Sequence, residues 1–116
     1  MERYLLLLHE NPEALPAMSP EELQAVIARY KAWGQRLHSE GRLVGNNKLE
    51  DGTGRVLRPN GTGQPKITDG PFTETKDVIG GYFLIEAATY EDAVEQCRDC
   101  PHLGFGPIEV RRIDVV

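Results

Sequence analysis

The chain has 116 residues, 40% hydrophobic and 27% charged, which fits one soluble globular domain over residues 1–116 and excludes a collagen, a mucin-like stalk or a disordered tail. Against 18 Asp and Glu stand 13 Lys and Arg, a formal net charge of -5, and the basic residues are scattered apart from Arg55/Arg58 and Arg111/Arg112. With no basic face to neutralise phosphates, direct nucleic-acid binding is not expected.

Tyr4-Leu5-Leu6-Leu7-Leu8 is a continuously apolar run. It suits a central strand covered on both faces, or by a helix on one face and a partner on the other. It is far short of the ~18 residues of a membrane span and too short for a signal-peptide core. A cytoplasmic location and no membrane partner are expected. His9-Glu10-Asn11-Pro12 breaks the run, and residues 10–18 read as an irregular loop around Pro12 and Pro16. Ser19, Pro20 and Glu22 then supply a cap, a first-position proline and the third residue of a capping box. Leu23, Val26, Ile27, Tyr30 and Leu37 recur at helical spacing, with Trp33 and Gly34 on the same side. Gly41 is the stop, so the spacing predicts a helix over Pro20–Glu40.

Leu43-Val44-Gly45 opens a second strand running toward Leu49, and Asp51-Gly52 is a turn. Arg55–Arg58 and Lys66–Thr68 flank Pro59-Asn60-Gly61-Thr62-Gly63 as a polar hairpin, placed at an edge or reaching over a neighbour. Ile79–Ile85 is a second apolar strand. Thr89 caps a second helix with the stripe Tyr90, Ala93, Val94 and Cys97, and Pro101 ends it. Pro107–Arg111 alternates as a last strand, with Ile108 and Val110 on one side. Ile113 and Val115 fall on the other parity, so a bulge or bend is expected near Arg112.

Without the hairpin, two strand–helix–strand units remain. Right-handed crossovers put both helices on one face of an antiparallel sheet. The expected fold class is α+β, a ferredoxin-like sandwich with an inserted β-hairpin. One sheet face carries no helix, and pairing two such faces gives the expected homodimer, a dimeric α+β barrel.

Asp69-Gly70-Pro71-Phe72-Thr73-Glu74-Thr75-Lys76, followed by Gly80-Gly81-Tyr82-Phe83, resembles the DGPF branch of the YCII-related domain family. Gly41-Arg42-Leu43 and Gly45 match the family's approach to strand two. Cys100-Pro101-His102 and Ile108-Glu109-Val110-Arg111 are similar to its C-terminal end. The ordered set spans nearly the whole chain. The resemblance implies a dimeric ferredoxin-like α+β domain and, in the YCII branch, a His and an Asp suggestive of enzymatic work. Members fused to sigma factors imply a link to transcription initiation. The dyad itself is unmatched here. The first helix holds only His38, near its end, and Cys100 stands before Pro101 where the family places its Asp.

Asp69, Gly70 and Pro71 form a turn, with Phe72 as a core plug or a pocket wall. Asp69, Glu74 and Lys76 on one loop would hold a polar substrate or move a proton. His9 ends the first strand and His102 follows the second helix. The strand order brings both toward one rim, where an imidazole serves as acid or base, or simply faces water. Cys97-Arg98-Asp99-Cys100 lies at a helix C-terminus, whose dipole opposes a thiolate, so burial of Cys97 is expected rather than redox work. Cys97, Cys100 and His102 lack a fourth zinc ligand, and Gly61-Thr62-Gly63 lacks the helix of a phosphate loop. No metal and no cofactor are expected. Tyr30, Trp33, Tyr82 and Phe83 are pocket walls or core.

The leading expectation is a protein that binds a small polar or aromatic molecule, with cofactor-free isomerase or lyase chemistry. Asp69 and His102 are its candidate catalytic acid/base groups, and His9, Phe72, Glu74, Lys76 and Tyr82 its substrate-binding residues. The alternative is a non-catalytic regulatory or protein-interaction module associated with sigma factors, which the acidic balance suits. Motif side chains converging on a cavity favour the first; side chains spread over a convex surface favour the second.

Overall fold

The computed structural model describes residues 1–72 and 76–116. Its elements run β1 (Glu2–Glu10), α1 (Pro20–Ser39), β2 (Leu43–Lys48), β3 (Arg55–Arg58), β4 (Lys66–Asp69), β5 (Val78–Ala87), α2 (Tyr90–Cys97) and β6 (Ile108–Arg112). Short 3-10 turns lie at Pro12–Ala14 and Pro101–Gly104. The main sheet has the order β2-β5-β1-β6, with every neighbouring pair antiparallel. That is the ferredoxin-like α+β order, and β3–β4 form a separate two-stranded sheet inserted before β5.

The pleat of β1 sends Tyr4, Leu6 and Leu8 toward the helices, where they are buried, and Leu5 and Leu7 to the other face. The register sets Ile85, Phe83 and Gly81 of β5 opposite Tyr4, Leu6 and Leu8. Val110 and Ile108 of β6 stand opposite Leu6 and Leu8. Trp33 and Leu37 of α1, with Ala93, Cys97 and Cys100, close the layer. Burial of such side chains is the main favourable term, about 1.5–3 kcal/mol for each large one. Trp33 meets Phe83 edge to face with 4.7 Å between ring centres. Its indole N–H donates to the Gln96 carbonyl and to Asp99, so its polar end is satisfied.

The helix starts follow their capping residues. Ser19 Oγ accepts from the Glu22 N–H while the Glu22 carboxylate accepts from the Ser19 N–H. Thr89 accepts from the Asp92 N–H at the start of α2. Asp92 in turn accepts from the Ala88 N–H and, at 2.9 Å, from Arg42, which ties α2 to the approach to β2. The Ala88 N–H and then the Arg42 guanidinium hold the Asp92 carboxyl below its ordinary range.

Three expectations are corrected. The stripe of α1 is not buried throughout: Leu23 and Ile27 are exposed, and full burial starts at Trp33, because the N-terminal half of the helix overhangs the packed layer. In α2, Tyr90 and Val94 stay exposed. Tyr90 leans edge-on against Tyr4, and its hydroxyl accepts from the Arg112 N–H. No bulge interrupts β6, which pairs continuously from Ile108 to Arg112 and ends before the parity change. Register shifts fall instead at Leu8/His9 and Leu43/Gly45. Among the described residues no helix is long and apolar enough to cross a membrane.

Candidate functional site

At the end of β1 the main chain turns His9 toward Glu109, with His9 Nε2 2.9 Å from Glu109 Oε1. A carboxylate only accepts, so Nε2 carries the proton. The bond holds the Glu109 carboxyl below its usual range. The His9 carbonyl has a separate task. It accepts from His102 Nε2 at 2.7 Å. Gly106 makes room for this carbonyl, since a Cβ at that position would overlap its oxygen.

A carbonyl cannot donate, so His102 Nε2 carries a proton, and in that tautomer Nδ1 is an acceptor. Nδ1 accepts from the Tyr30 hydroxyl at 2.8 Å. The His102 side chain is thus fully paired in a site where the residue is only 3% exposed. Burial, reinforced by Cys100 and Glu10 nearby, pushes the Tyr30 phenol up to about 12. At neutral pH Tyr30 is therefore an O–H donor and not a tyrosinate. The Glu10 carboxylate lies against Gly80, where a Cβ would come within 2.6 Å of Oε1. Glu10 is near enough to Tyr30 to act on it electrostatically, at the rim where β1 ends.

A cleft of about 510 Å³ opens beside Tyr30, between α1 and the strands β2 and β5. Its apolar walls are Phe83 and Leu43, with Gly34 leaving space along the helix. Lys31, Gln35, His38 and Asn46 supply polar groups. The cleft is an open groove with two apolar walls and polar side chains along the rest, and its volume falls within the range of about 300–1,000 Å³ for small-molecule pockets. Cys97 and Cys100 are buried free thiols behind this layer. Burial pushes them up to about 12 and about 11, so neither is a thiolate at neutral pH.

The structure brings His9 and His102 together at one rim, through the main chain of the first and the ring of the second. The pairing of Asp69 with His102 is corrected. Asp69 ends β4 with its side chain 89% exposed and ion-paired to Arg55 at 3.2 Å. A solvated carboxylate on an outlying hairpin does not face an imidazole buried under Tyr30. Phe72 is neither core plug nor cleft wall: it is exposed, with the Arg58 guanidinium 4.8 Å from its ring centre. Tyr82 is corrected too. It lies on the helix-free side of the sheet, where its hydroxyl accepts from Asn47. Lys76 is exposed ahead of β5, and Glu74 lies outside the described residues.

Residues 2–115 match the YCII-related domain, and the chain belongs to this family. A curated relative, the uncharacterized protein R00369 of Rhizobium meliloti (strain 1021), is 28% identical over 110 residues, covering 93% of this chain and 89% of that one. Among solved structures the chain is similar to 5-chloro-2-hydroxyhydroquinone dehydrochlorinase (TftG) from Burkholderia phenoliruptrix AC1100, in complex with 2,5-dihydroxybenzoquinone. The TM-score is 0.50 at 17% identity, over 97% of this chain and 93% of that one, a likeness of fold.

Proposed function

We propose that this protein binds a small polar or aromatic molecule in the cleft beside Tyr30, and that Tyr30 backed by His102 moves a proton on it without a cofactor. The observation that carries this reading is the 2.8 Å bond between the Tyr30 hydroxyl and His102 Nδ1, on a ring whose other nitrogen is tied to the His9 carbonyl. Tyr30 can pass its hydroxyl proton to Nδ1 while its oxygen takes one from a C–H or O–H of the bound molecule, which is left as an enolate or phenolate, and reversal of the relay gives that proton back. A neutral phenol suits the role of general acid, or of donor to the oxyanion of an enolate or phenolate. Return of the proton at another carbon would complete an isomerisation, and loss of a leaving group an elimination. The similar dehydrochlorinase holds a hydroxyquinone, which supports a flat oxygenated ring as first probe; fold alone carries no more than that.

Thermal melting with 2,5-dihydroxybenzoquinone and a panel of small phenols and enols tests the reading. Binding to the folded state raises Tm. The expected result is a Tm rise with at least one compound, weakened about tenfold in apparent affinity by Tyr30→Phe, the loss of one hydrogen bond. No shift across the panel, or a shift indifferent to Tyr30→Phe, contradicts it.

The helix-free sheet face also supports a homodimer. Leu5 stands opposite Leu84 and Leu7 opposite Tyr82. The ion pairs Arg3–Glu86 and Arg111–Glu109 flank this apolar centre, as a polar rim surrounds an interface core. The second reading, a protein-interaction module associated with sigma factors, is favoured by one observation. Asp69 and Phe72 of the motif are spread on an exposed hairpin rather than gathered at the cleft. Purified sigma factor that fails to bind the intact protein in a pull-down would remove it.

A further inference from the structure

We infer that the β3–β4 hairpin is an arm that clasps a second copy of this chain, docking on the overhanging N-terminal half of that copy's α1. The inference rests on the homodimer reading above and adds to it a surface and a partner site.

The arm has no core of its own. Leu57 and Ile67 stand opposite each other in the ladder, so they project from one face, and each is 61% exposed. A lone two-stranded hairpin is marginal in water, and clustered exposed apolar side chains mark a contact surface. The dimensions say the same. The chain exposes 8127 Å², whereas a folded monomer of 12.9 kDa exposes about 6,300 Å². Its radius of gyration is 16.3 Å, against about 13 Å for a compact domain of this length. The surplus of about 1,800 Å² is of the size one protomer contributes to an obligate homodimer, whose interfaces bury about 2,000–5,000 Å² in total.

Charge selects the receptor. Between Arg55 and Asp69 the arm carries Arg55, Arg58 and Lys66 against Asp69 alone. Residues 10–28 carry Glu10, Glu13, Glu21 and Glu22 with no Lys or Arg. That acidic stretch also holds the exposed Leu15, Leu23 and Ile27. A basic arm with an apolar face thus has its complement on this same chain. Arm and receptor leave the sheet at the same end. The Leu49 N–H, just before the arm, donates to the Gly80 carbonyl, and Glu10, at the start of the acidic stretch, lies against Gly80. In a dimer paired through the helix-free faces, the exchange takes each arm around the end of the partner's sheet to α1 on its other side.

The test mixes two single-cysteine variants of the full chain, Ile67→Cys and Ile27→Cys, under mild oxidation. The native thiols are buried and stay out of the reaction. Light scattering on the wild-type protein reads the oligomer. The expected outcome is a dimer, a disulfide-linked pair in the mixture, and a dimer Kd raised about tenfold or more by joint Arg55→Glu, Arg58→Glu and Lys66→Glu. Joint Glu13→Lys, Glu21→Lys and Glu22→Lys should restore it. A wild-type monomer overturns the arm and the homodimer together. A dimer indifferent to arm charge, with no cross-link, overturns the arm alone. An internal disulfide in the Ile27→Cys/Ile67→Cys double variant shows the arm covering its own helix and overturns the exchange.

Discussion

A buried imidazole needs a partner at each nitrogen, and His102 finds them 72 residues away in Tyr30 and 93 residues away in the His9 carbonyl. The rim shared by His9 and His102 was legible from strand order. The Tyr30 hydroxyl was not, because helical spacing gives the face of a residue and not where its ring tip ends. Glu10 was hidden for a related reason: a polar residue past an apolar run reads as loop. Tyr30→Phe removes the donor and leaves Nδ1 buried without a partner. A stability loss of about 1–3 kcal/mol is expected in urea unfolding; an unchanged midpoint would show that the bond holds nothing. The alkaline limb gives a second check. Tyr30 moves from 10.0 to about 12, Cys100 from 9.0 to about 11 and Cys97 from 9.0 to about 12 on folding. The unfolded chain therefore releases these protons first, and their contribution is complete below the unfolded values and is lost as pH rises through the folded ones. Stability should fall steadily above pH 9, less steeply for Tyr30→Phe above pH 10. Thiol reagents at neutral pH should label neither cysteine until the protein unfolds.

Elements were read well where local chemistry decides them. The capping box at Ser19 and Glu22 marks the start of α1, and Thr89 the start of α2. The DGPF run bends at Gly70, whose φ is +94°, but Asp69 still belongs to β4 and the run does not lie beside the cavity. Turn residues fix how a chain bends, and nothing in Asp69–Phe72 says which way the hairpin leaves the sheet. The same limit applied to Leu23 and Ile27: their spacing shows an apolar stripe, not whether the sheet reaches under it. At this scale Asp92 joins α2 to the approach to β2. Asp92→Ala removes the acceptor of the Ala88 N–H and the partner of Arg42. A loss of about 1–2 kcal/mol is expected at neutral pH. The folded carboxyl titrates below its ordinary 3.8, so this contribution is present above that value and is lost as pH falls through the lower folded one. The gap between wild type and variant in urea midpoints should close in acid; a gap that persists there would assign the effect to packing.

For the whole molecule the fold class followed from the order of apolar runs, since a central strand flanked by two helical crossovers leaves few arrangements. The open face follows from the same pleat that buries Tyr4, Leu6 and Leu8. In the proposed homodimer Leu7→Asp would set a carboxylate opposite Tyr82 and Glu109, and sedimentation should show a dimeric wild type turned to monomer with unchanged circular dichroism. A persisting dimer would move the interface off this face. The proposed binding site is the cleft between α1 and β5, backed by Tyr30 and His102. Backbone NMR of the intact protein titrated with 2,5-dihydroxybenzoquinone measures that directly. Shifts should centre on Tyr30, Gly34, His38, Asn46 and Phe83, with the His102 ring nitrogens responding. Shifts centred on Leu5 and Tyr82 across the sheet, or none at saturating probe, would rule this site out.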